Sequence, residues 1–461
     1  MIDKQLAQKV LDEALMTGGD FSELFMEDTE GNSISMTDGN VENANYTRKH
    51  GAGVRVLKGN KCAYAYTADT SEDGLMFAAK AASAVITGLK ECESKSIAIK
   101  DYSIPLSKPF SSIDNASRIA LMKNGSAVAK NYSPEISQVQ TSYLDIDRRI
   151  FVFNSDGLAV SDRQPRTRIF LEAVAMNGNE AQLGYSGPGL GTDFSAYDLI
   201  DIEATGRQVA KTAVTMLHAK QCPSGRFPVV IDGGFGGVIL HEACVHSLEA
   251  TSVAKGNSEF CGKLGQKIAS DIVTAVDDGT LPGEWGTVRV DDEGTKTQRN
   301  ILIENGILKT YLVDMLGARI MNHPLTGSSR RQDYTFAPTS RMTNTFFAPG
   351  KDDENEMIKS MGTGLYAAYM GGGSVNPLTG EFNFSVLEGY WVKNGEIVCP
   401  VRGATLIGKG AVVLNKIDRI GKSMWMGQGM CGSQSGSIPT NVGQPRIRVS
   451  EMTVGGKGEI I

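Results

Sequence analysis

Two of the five histidines in this 461-residue sequence lie in one short stretch that also contains a carboxylate. The stretch runs His241, Glu242, Ala243, Cys244, Val245, His246. Imidazole nitrogens are frequent zinc ligands, and zinc peptidases use a glutamate beside the metal as the general base. These residue types therefore predict a Zn²⁺ site formed by His241 and His246, with Glu242 as the catalytic base.

The spacing of the two histidines differs from that of the common zinc-peptidase signature. That signature places its histidines four residues apart, on one face of a helix. His241 and His246 are five residues apart, which on a regular α-helix separates their side chains by roughly 140°. A local π-turn, with i→i+5 hydrogen bonding, would return them to one face. We therefore predict a distorted helix over residues 241–246, the alternative being two buried histidines with purely structural roles.

A catalytic zinc ion normally has three protein ligands and a water molecule, so a third ligand must come from elsewhere in the chain. Cys431 is the leading candidate, because residues 427–433 are rich in glycine and predict a loop in which a thiolate can approach an ion. Cys244 is expected to face the core, and Glu249 is better placed to orient a ligating histidine. His323 lies in an Asn-His-Pro loop and is expected to be structural.

Four segments resemble the TldD/PmbA family of bacterial and archaeal peptidases, and specifically its metal-binding TldD branch. They are Gly237–Glu249, Arg341–Thr345, Gly371–Phe384, and Met430-Cys431-Gly432 followed by Gly443-Gln444-Pro445. The resemblance covers most of the chain. It implies a two-domain subunit that binds zinc through His241, His246 and Cys431, with Glu242 as the base.

The resemblance also implies an assembly and a class of substrate. Family members form dimers, often of a metal-bearing TldD chain with a metal-free PmbA-type partner, so we expect a homodimer or a heterodimer with a PmbA-type paralogue. The family resembles peptidases that trim unfolded or modified peptides, including in peptide-antibiotic maturation. Two departures from the family pattern are Val245, where glycine is usual, and residues 433–436. Because Val245 is β-branched, the helix distortion must avoid a positive φ there.

Hydrophobic periodicity and turn signals predict an α+β protein of two domains. Residues 1–221 are expected to form an N-terminal α/β domain of helices and antiparallel strands. Its helices are predicted near residues 6–15, 71–89, 114–130 and 196–219, and its strands within 22–67, 136–155 and 165–176. Turns in the first strand region are predicted at 30–32, 38–39 and 58–60.

Residues 222–461 are expected to form a mostly antiparallel β domain that carries the metal site. The strand 227–231 should lead through a flexible turn at 232–237 into the helix that carries the histidines. Asn-Gly pairs, which favour type I′ hairpin turns, occur at 305–306 and 394–395. Antiparallel sheets offer edges to which an extended peptide substrate could add as a further strand.

Charge, hydropathy and cysteine content limit the partners and the cellular location that we expect for this chain. The net charge of −6 and the pI of about 5.6 do not fit the clustered basic surface of a nucleic-acid binder, so no nucleic-acid partner is expected. No apolar run is long enough to span a bilayer, so no membrane partner is expected either. The seven cysteines are scattered, without a CxxC pair, which favours reduced thiols. A cytoplasmic location is therefore expected.

Two other interpretations use the same residues. A non-catalytic, zinc-stabilised subunit of a peptidase complex would bind the ion for structure only, in a closed site with four protein ligands. A cysteine hydrolase would use Cys431 as nucleophile and His241 or His246 as base, which leaves Glu242 without a role.

The working hypothesis is a zinc-dependent peptidase that hydrolyses unfolded or extended peptides by metal-activated water. Tyr334 and Arg341 are candidates for stabilising the oxyanion, although nothing in their spacing distinguishes them from structural residues.

Overall fold

The computed structural model describes residues 3–90, 92–376 and 379–461. This part of the chain is α+β with mostly antiparallel sheets, as predicted. Pro377 and Leu378, in one of the family-like segments, lie outside the described residues. Within the described ranges, no helix combines the length and the apolar character needed to cross a membrane.

One sheet and four helices account for the N-terminal half of the described chain. The helices are α1 (Lys4–Leu15), α2 (Glu72–Ser83), α3 (Asn115–Lys130) and α4 (Ile202–Leu217). The strands are β1 (Phe21–Thr37), β2 (Asn40–Lys58), β3 (Lys61–Thr67), β4 (Ala98–Asp101), β5 (Ile136–Asn154), β6 (Leu158–Asn177), β7 (Glu180–Ser186) and β8 (Gly189–Leu190). Their order is β3-β2-β1-β5-β6-β4, with β7 and β8 also paired to β6, and only the β4–β6 pair is parallel.

Each of these four helices begins at a polar residue that caps it. The side chains of Asp3, Ser71, Asp114 and Asp201 accept hydrogen bonds from backbone N–H groups in the first turns of α1, α2, α3 and α4, as N-cap residues do. Helices α1 and α2 pack on β1, β2 and β3, whereas α3 and α4 pack on β5, β6 and β7. Two helix pairs therefore cover the two parts of one sheet.

Three predicted features of this half differ in the structure. Helix α2 ends at Ser83 and not near residue 89. The predicted helix at 196–219 is divided into a 3₁₀ turn, Phe194–Asp198, and α4, because the Asp201 cap starts a new helix. The turn predicted at 30–32 is absent, since β1 continues through Gly31 and pairs there with both β2 and β5.

Three sheets make up the C-terminal half of the described chain. The helices are α5 (Val238–Ala243), α6 (Ala250–Val253), α7 (Met315–Met321), α8 (Glu354–Lys359) and α9 (Gly410–Lys416). The strands are β9 (Lys220–Gln221), β10 (Gly225–Gly234), β11 (Ala275–Asp278), β12 (Arg299–Glu304), β13 (Ile307–Leu308), β14 (Ser329–Arg330), β15 (Thr339–Ser340), β16 (Asn344–Phe347), β17 (Gly364–Val375), β18 (Glu381–Lys393), β19 (Glu396–Arg402), β20 (Thr405–Lys409), β21 (Ile417–Ile420), β22 (Trp425–Ser433), β23 (Gly436–Gln444) and β24 (Ile447–Gly455).

The two larger sheets of this half hold α5 between them. In the first, the order β17-β10-β24-β20-β18 is closed into a ring by an additional β17–β18 pairing. In the second, the order is β13-β12-β11-β16-β23-β22, with β22 at one edge. Helix α5 contacts β17 and β18 of the ring and β16 and β23 of the second sheet. All residues of α5 except Glu242 are consequently buried.

Two hairpins of the C-terminal half have the predicted turns. Asn305 and Asn394 have φ of 49° and 53°, and the glycine after each has φ of 81° and 79°. Positive φ at both central residues is the mark of a type I′ turn. These turns join β12 to β13 and β18 to β19.

Buried ion pairs join the two halves of the chain. Arg55 and Arg331 are almost fully buried, and their guanidinium groups lie 2.6 Å from Glu293 and 2.7 Å from Glu23, respectively. A buried pair of this kind is strongly destabilising when only one partner is removed. Strand β9, next to the predicted boundary at residue 221, pairs with β19 of the C-terminal half. The domain division at this residue stays a prediction.

Candidate metal centre

A tight turn leads from β10 into α5. Strand β10 extends to Gly234, so the turn is shorter than predicted, and Phe235 adopts a φ of 66° that is uncommon for a residue with a side chain. A Cβ atom on Gly237 would lie 2.5 Å from the backbone nitrogen of Gly443 on β23. Only glycine therefore allows α5 to begin this close to β23.

The helix that carries His241 ends before the chain reaches His246. Helix α5 ends at Ala243, Cys244 leaves helical geometry with φ −132° and ψ −59°, and Val245–Leu248 form a 3₁₀ turn. The predicted distortion is present, but the predicted π-turn is wrong. The helix breaks and a tighter turn follows, while the Cys244 side chain is fully buried in the core.

This break brings the two imidazoles together in spite of their five-residue spacing. The ring centroids of His241 and His246 are 4.9 Å apart, and the ring planes are nearly perpendicular at 88°. Val245 is not among the residues with positive φ, as expected. The backbone rotation needed to converge the histidines is therefore made at Cys244.

Cys431 lies on a strand, and the predicted glycine-rich loop is wrong. Strand β22 pairs with β23 along its length, and Cys431 is opposite Ile438. Gly427 of β22 serves close packing, because a Cβ atom there would lie 2.7 Å from the side chain of Phe235. The carbonyl of Cys431 accepts a hydrogen bond from Nη2 of Arg341, which is fully buried. Strand pairing and Arg341 thus both position the cysteine.

The side chains of His241, His246 and Cys431 converge on one point. Nε2 of His241 lies 3.2 Å, and Nε2 of His246 3.3 Å, from Sγ of Cys431. All three potential ligand atoms lie within 4.8 Å of one another, the only such group of His, Cys, Asp or Glu among the described residues. Tetrahedral zinc, with Zn–N of ~2.0 Å and Zn–S of ~2.3 Å, would place N and S roughly 3.5 Å apart. Both observed N–S distances are within a few tenths of an ångström of this value, so the donor set fits zinc.

The charges in the site favour the thiolate form of Cys431. Burial raises the pKa of this thiol, but the charges and hydrogen bonds of His241 and His246 outweigh burial and lower the pKa to about 4. Burial lowers the pKa of His246, whereas Glu249 and Cys431 together raise it well above its usual value. Because metals bind the thiolate, the site presents this cysteine in its ligating form.

Two glutamates flank His246. Oε2 of Glu249 lies 3.3 Å from Nδ1, which leaves Nε2 directed at Cys431 and available to a metal. Oε2 of Glu242 lies 3.7 Å from Nε2, on the side of the three donors. The Glu249 side chain is 4% exposed and that of Glu242 is 29% exposed. Glu249 therefore orients the ring, and Glu242 approaches the donors from the solvent side.

Other candidates from the sequence have structural surroundings. Cys244 belongs to the hydrophobic core, as expected. Nδ1 of His323 lies 2.8 Å from the carbonyl oxygen of Pro324, in agreement with its expected structural role. The carbonyl of Tyr334 accepts a hydrogen bond from the Tyr64 hydroxyl, in the contact with the N-terminal sheet.

Models of one metallopeptidase family match most of the chain. The PmbA/TldA metallopeptidase domain 1 matches residues 22–86, the central domain residues 108–217 and the C-terminal domain residues 224–456. The C-terminal match contains all three converging side chains and Glu242.

Curated relatives are similar over nearly the full chain. A metalloprotease TldD homolog of Buchnera aphidicola is 34% identical over 449 residues, which cover 95% of this chain and 93% of that protein. A metalloprotease of Methanocaldococcus jannaschii is 31% identical, covering 95% and 97%. A protein of Saccharolobus solfataricus named zinc metalloprotease TldD homolog is 31% identical over 264 residues, covering 56% and 58%. The names of these relatives support a metal-dependent protease.

Solved structures share the fold at low sequence identity. TldE of Thermococcus kodakarensis has a TM-score of 0.76 at 18% identity, over 98% of this chain and 99% of that one. A protein of Thermotoga maritima, named for a suggested role as modulator of a DNA gyrase, has a TM-score of 0.81 at 22% identity, over 98% and 99%. At such low sequence identity, these similarities show a shared fold alone. The family models and the relatives matched over nearly the full chain show that the chain belongs to the TldD/PmbA family of metallopeptidases.

Proposed function

We propose that the protein is a zinc-dependent peptidase that hydrolyses unfolded or extended peptides. The observation that carries this proposal is the convergence of two imidazoles and one thiolate beside a partly exposed glutamate. Three protein ligands leave an open coordination position, which is typical of catalytic zinc and not of structural zinc. The names of the relatives point to the same class of enzyme.

Each residue of the site would have a separate role in peptide hydrolysis. When bound to His241, His246 and Cys431, zinc would supply a Lewis acid that polarises a peptide carbonyl and lowers the pKa of water. Glu242 would accept the proton of the attacking water and deliver it to the leaving amine. Glu249 would keep the His246 ring oriented through the N–H on Nδ1.

An extended peptide is the substrate class that the surroundings favour. Strand β22, which carries Cys431, is an edge strand of its sheet. The carbonyls of Gln428 and Gly429 already accept hydrogen bonds from Arg168 and Trp285, so a peptide backbone would pair with other positions of this edge, with little dependence on sequence. Beside β22 lies a cleft of about 750 Å³, whose lining includes Trp425, Tyr369 and Arg168. Side chains of a bound peptide would fit there, whereas a folded protein would not present a free strand.

We further infer a dimer, either of two such chains or with a PmbA-type paralogue, acting in the cytoplasm without nucleic-acid or membrane partners. Among the described residues, six of the cysteines form no disulfide, namely Cys62, Cys222, Cys244, Cys261, Cys399 and Cys431, which agrees with a reducing compartment. Light scattering on the pure protein should give at least a dimer, and a monomer would contradict the inference.

The alternative with an observation in its favour is a cysteine hydrolase. A buried cysteine of low pKa between two histidines also resembles a thiolate–imidazolium nucleophile. A non-catalytic zinc-stabilised subunit is the other alternative, and it would bind metal without hydrolysing any peptide.

The experiment that separates these functions compares metal content and peptide hydrolysis in two cysteine variants. We expect chelation to abolish hydrolysis of casein and short peptides, and zinc to restore it. Cys431→Ala should lose both metal and activity, whereas Cys399→Ala, a partly buried thiol on β19, should keep both. Full zinc occupancy in an inactive Cys431→Ala would favour the nucleophile. Zinc-loaded wild type that hydrolyses no peptide would favour the non-catalytic subunit.

A further inference from the structure

A cavity of about 280 Å³ lies between the N-terminal sheet and the β22–β23 hairpin. The hairpin contributes Met430 and Pro439, which are cross-strand partners. Their neighbours Cys431 and Ile438 form the next pair, and successive side chains of a strand point to opposite faces. The cavity therefore lies behind the hairpin, on the face opposite to the metal ligands.

Positive charge dominates the wall of this cavity. Its cationic lining residues are Lys49, Arg148, Arg166, Arg330 and Arg331. Three of them are balanced by ion pairs, Lys49 with Asp333 at 2.8 Å, Arg148 with Asp292 at 2.9 Å and Arg331 with Glu23 at 2.7 Å. The remaining two are Arg166 and Arg330.

Arg166 and Arg330 have no carboxylate partner within ion-pair distance among the described residues. Each is only 3% exposed. Arg166 donates to the carbonyls of Trp285 and Thr287, and Arg330 likewise donates to backbone carbonyls. Carbonyl oxygens satisfy donors but do not neutralise a buried charge, which is costly to leave unpaired.

One carboxylate faces this excess of cations. Glu27 is the only acidic residue in the lining, and Oε1 lies 3.6 Å from Nε of Arg148. Its other oxygen, Oε2, is buried without a hydrogen-bond partner. Burial, with Arg330 and Arg148 nearby, lowers the pKa of Arg166 to about 9, and burial lowers that of Arg330 to about 10. The wall would be stabilised by additional negative charge.

We propose that this cavity binds a small oxyanion, a carboxylate or phosphate group, between Arg166 and Arg330. Nε and Nη2 of Arg166 and Nη1 of Arg330 already donate to carbonyls, so the oxyanion would accept charge-assisted hydrogen bonds from Nη1 of Arg166 and from Nε and Nη2 of Arg330. The volume is several times the ~30 Å³ share of a water molecule, so it can hold a compact anion with a few waters. The anion could be free phosphate or the C-terminal carboxylate of a peptide, which share this chemistry.

The test of this site does not depend on the proposed peptidase activity, because it measures binding of an anion and not hydrolysis of a peptide. Purified, metal-loaded protein is titrated with sodium phosphate at constant ionic strength, and separately with a short N-acetylated peptide carrying a free or an amidated C-terminus. Calorimetry and the melting temperature report binding. We expect saturable binding of phosphate, of the free-carboxyl peptide, or of both, and the amidated peptide serves to identify a carboxylate ligand.

Variants locate the bound anion. Arg166→Lys and Arg330→Lys keep the charge but lose the planar fork, so the apparent affinity should fall at least tenfold. Arg149→Lys is the matched control, since Arg149 is on the same strand as Arg148 and its side chain is 46% exposed. Glu27→Gln removes the opposing carboxylate and should tighten binding several-fold. If the arginine variants do not fold, the affinity of Glu27→Gln for the anion tests the proposal instead.

Two results would overturn the proposal. The first is the absence of saturable binding by any of these oxyanions. The second is binding that disappears on chelation and is unchanged in Arg330→Lys and Glu27→Gln, because such an anion would lie on the metal. Binding that survives chelation and responds to these substitutions would support the cavity.

Discussion

Removing the carboxylate of Glu249 should weaken metal binding although this residue is not proposed as a ligand. Oε2 of Glu249 lies 3.3 Å from Nδ1 of His246, and the Glu249 side chain is 4% exposed. A carboxylate so placed favours the tautomer with the proton on Nδ1, so that Nε2 is free to bind metal. Glu249→Gln keeps the shape and removes the charge, whereas Glu249→Ala removes the contact entirely.

The magnitude follows from the geometry of this contact. The metal-bound His246 ring is neutral, so the contact is a hydrogen bond from the N–H on Nδ1 to a carboxylate oxygen 3.3 Å away. Glutamine can still accept this hydrogen bond, but without the negative charge that strengthens it. Carboxylate partners of metal-bound histidines are typically worth a factor of ~10–100 in affinity, or about 1.4–2.7 kcal/mol. We expect a loss of about tenfold for Glu249→Gln and up to about a hundredfold for Glu249→Ala.

A competition titration against a chromogenic chelator measures this affinity directly. Glu388→Gln is a matched control, because Glu388 is also buried and hydrogen-bonded, to Thr212 and Tyr390, in another part of the protein. Circular dichroism checks that each variant is folded. Zinc affinity of Glu249→Ala within twofold of wild type would refute the reasoning that this carboxylate orients His246.

Three other perturbations have defined outcomes. Glu242→Gln should lower peptide hydrolysis by about 10²–10⁴-fold with full zinc content, because it removes the base and keeps the ligands, and a near wild-type rate would disprove the assignment. Burial raises the pKa of Asp333, but hydrogen bonds from Lys49 and Thr335 lower it to about 2. The interaction of Asp333 with Lys49 therefore contributes stability above pH ~4 that is lost as the pH falls towards 2. Asp333→Asn should destabilise the protein at neutral pH by at most about 2 kcal/mol, and it should make the stability depend less on pH between pH ~4 and ~2. The same loss of stability with falling pH in the variant and the wild type would contradict this contribution. Gly237→Ala should lower the free energy of unfolding by about 1–3 kcal/mol, because the added Cβ meets the backbone of Gly443. Gly372→Ala is the control, because nothing lies within 4 Å of a Cβ added there. Equal melting temperatures of the two variants would contradict the close contact at Gly237.

Local chemistry made much of the fold predictable. Ser71 and Asp114 cap α2 and α3 in the structure because a short polar side chain satisfies free N–H groups wherever a helix starts. The Asn-Gly turns were predictable for a similar reason, since two adjacent residues supply both positive φ values. The two converging histidines could also be chosen from the sequence, because they occur with Glu242 in one dense motif. Cys431 lies 185 residues beyond His246, and it could be chosen only because catalytic zinc needs a third ligand and because its surroundings resemble the family motif.

The features that were not predictable depend on contacts between distant residues. Periodicity cannot distinguish a helix with a π-bulge from one that ends at Ala243, because the difference lies in the backbone angles of the single residue Cys244. The glycines around Cys431 indicated a loop, yet Gly427 makes room for Phe235 within a regular strand. Arg341 could not be assigned a role, because its contact, the carbonyl of Cys431, is 90 residues further along the chain.

The late place of β24 in the chain, compared with its partners in the five-stranded ring, has a consequence for synthesis on the ribosome. β24 lies between β10 and β20, and it also pairs with β21, although it is the last of these strands to be translated. Until it emerges, the apolar residues 229–231 of β10 have an open edge, and until β22 is translated shortly before it, both motif histidines exist without Cys431. Nascent chains should therefore spend much of their synthesis exposed to mispairing and aggregation, and yields should depend on chaperones and translation rate more than the stability of the folded protein would indicate.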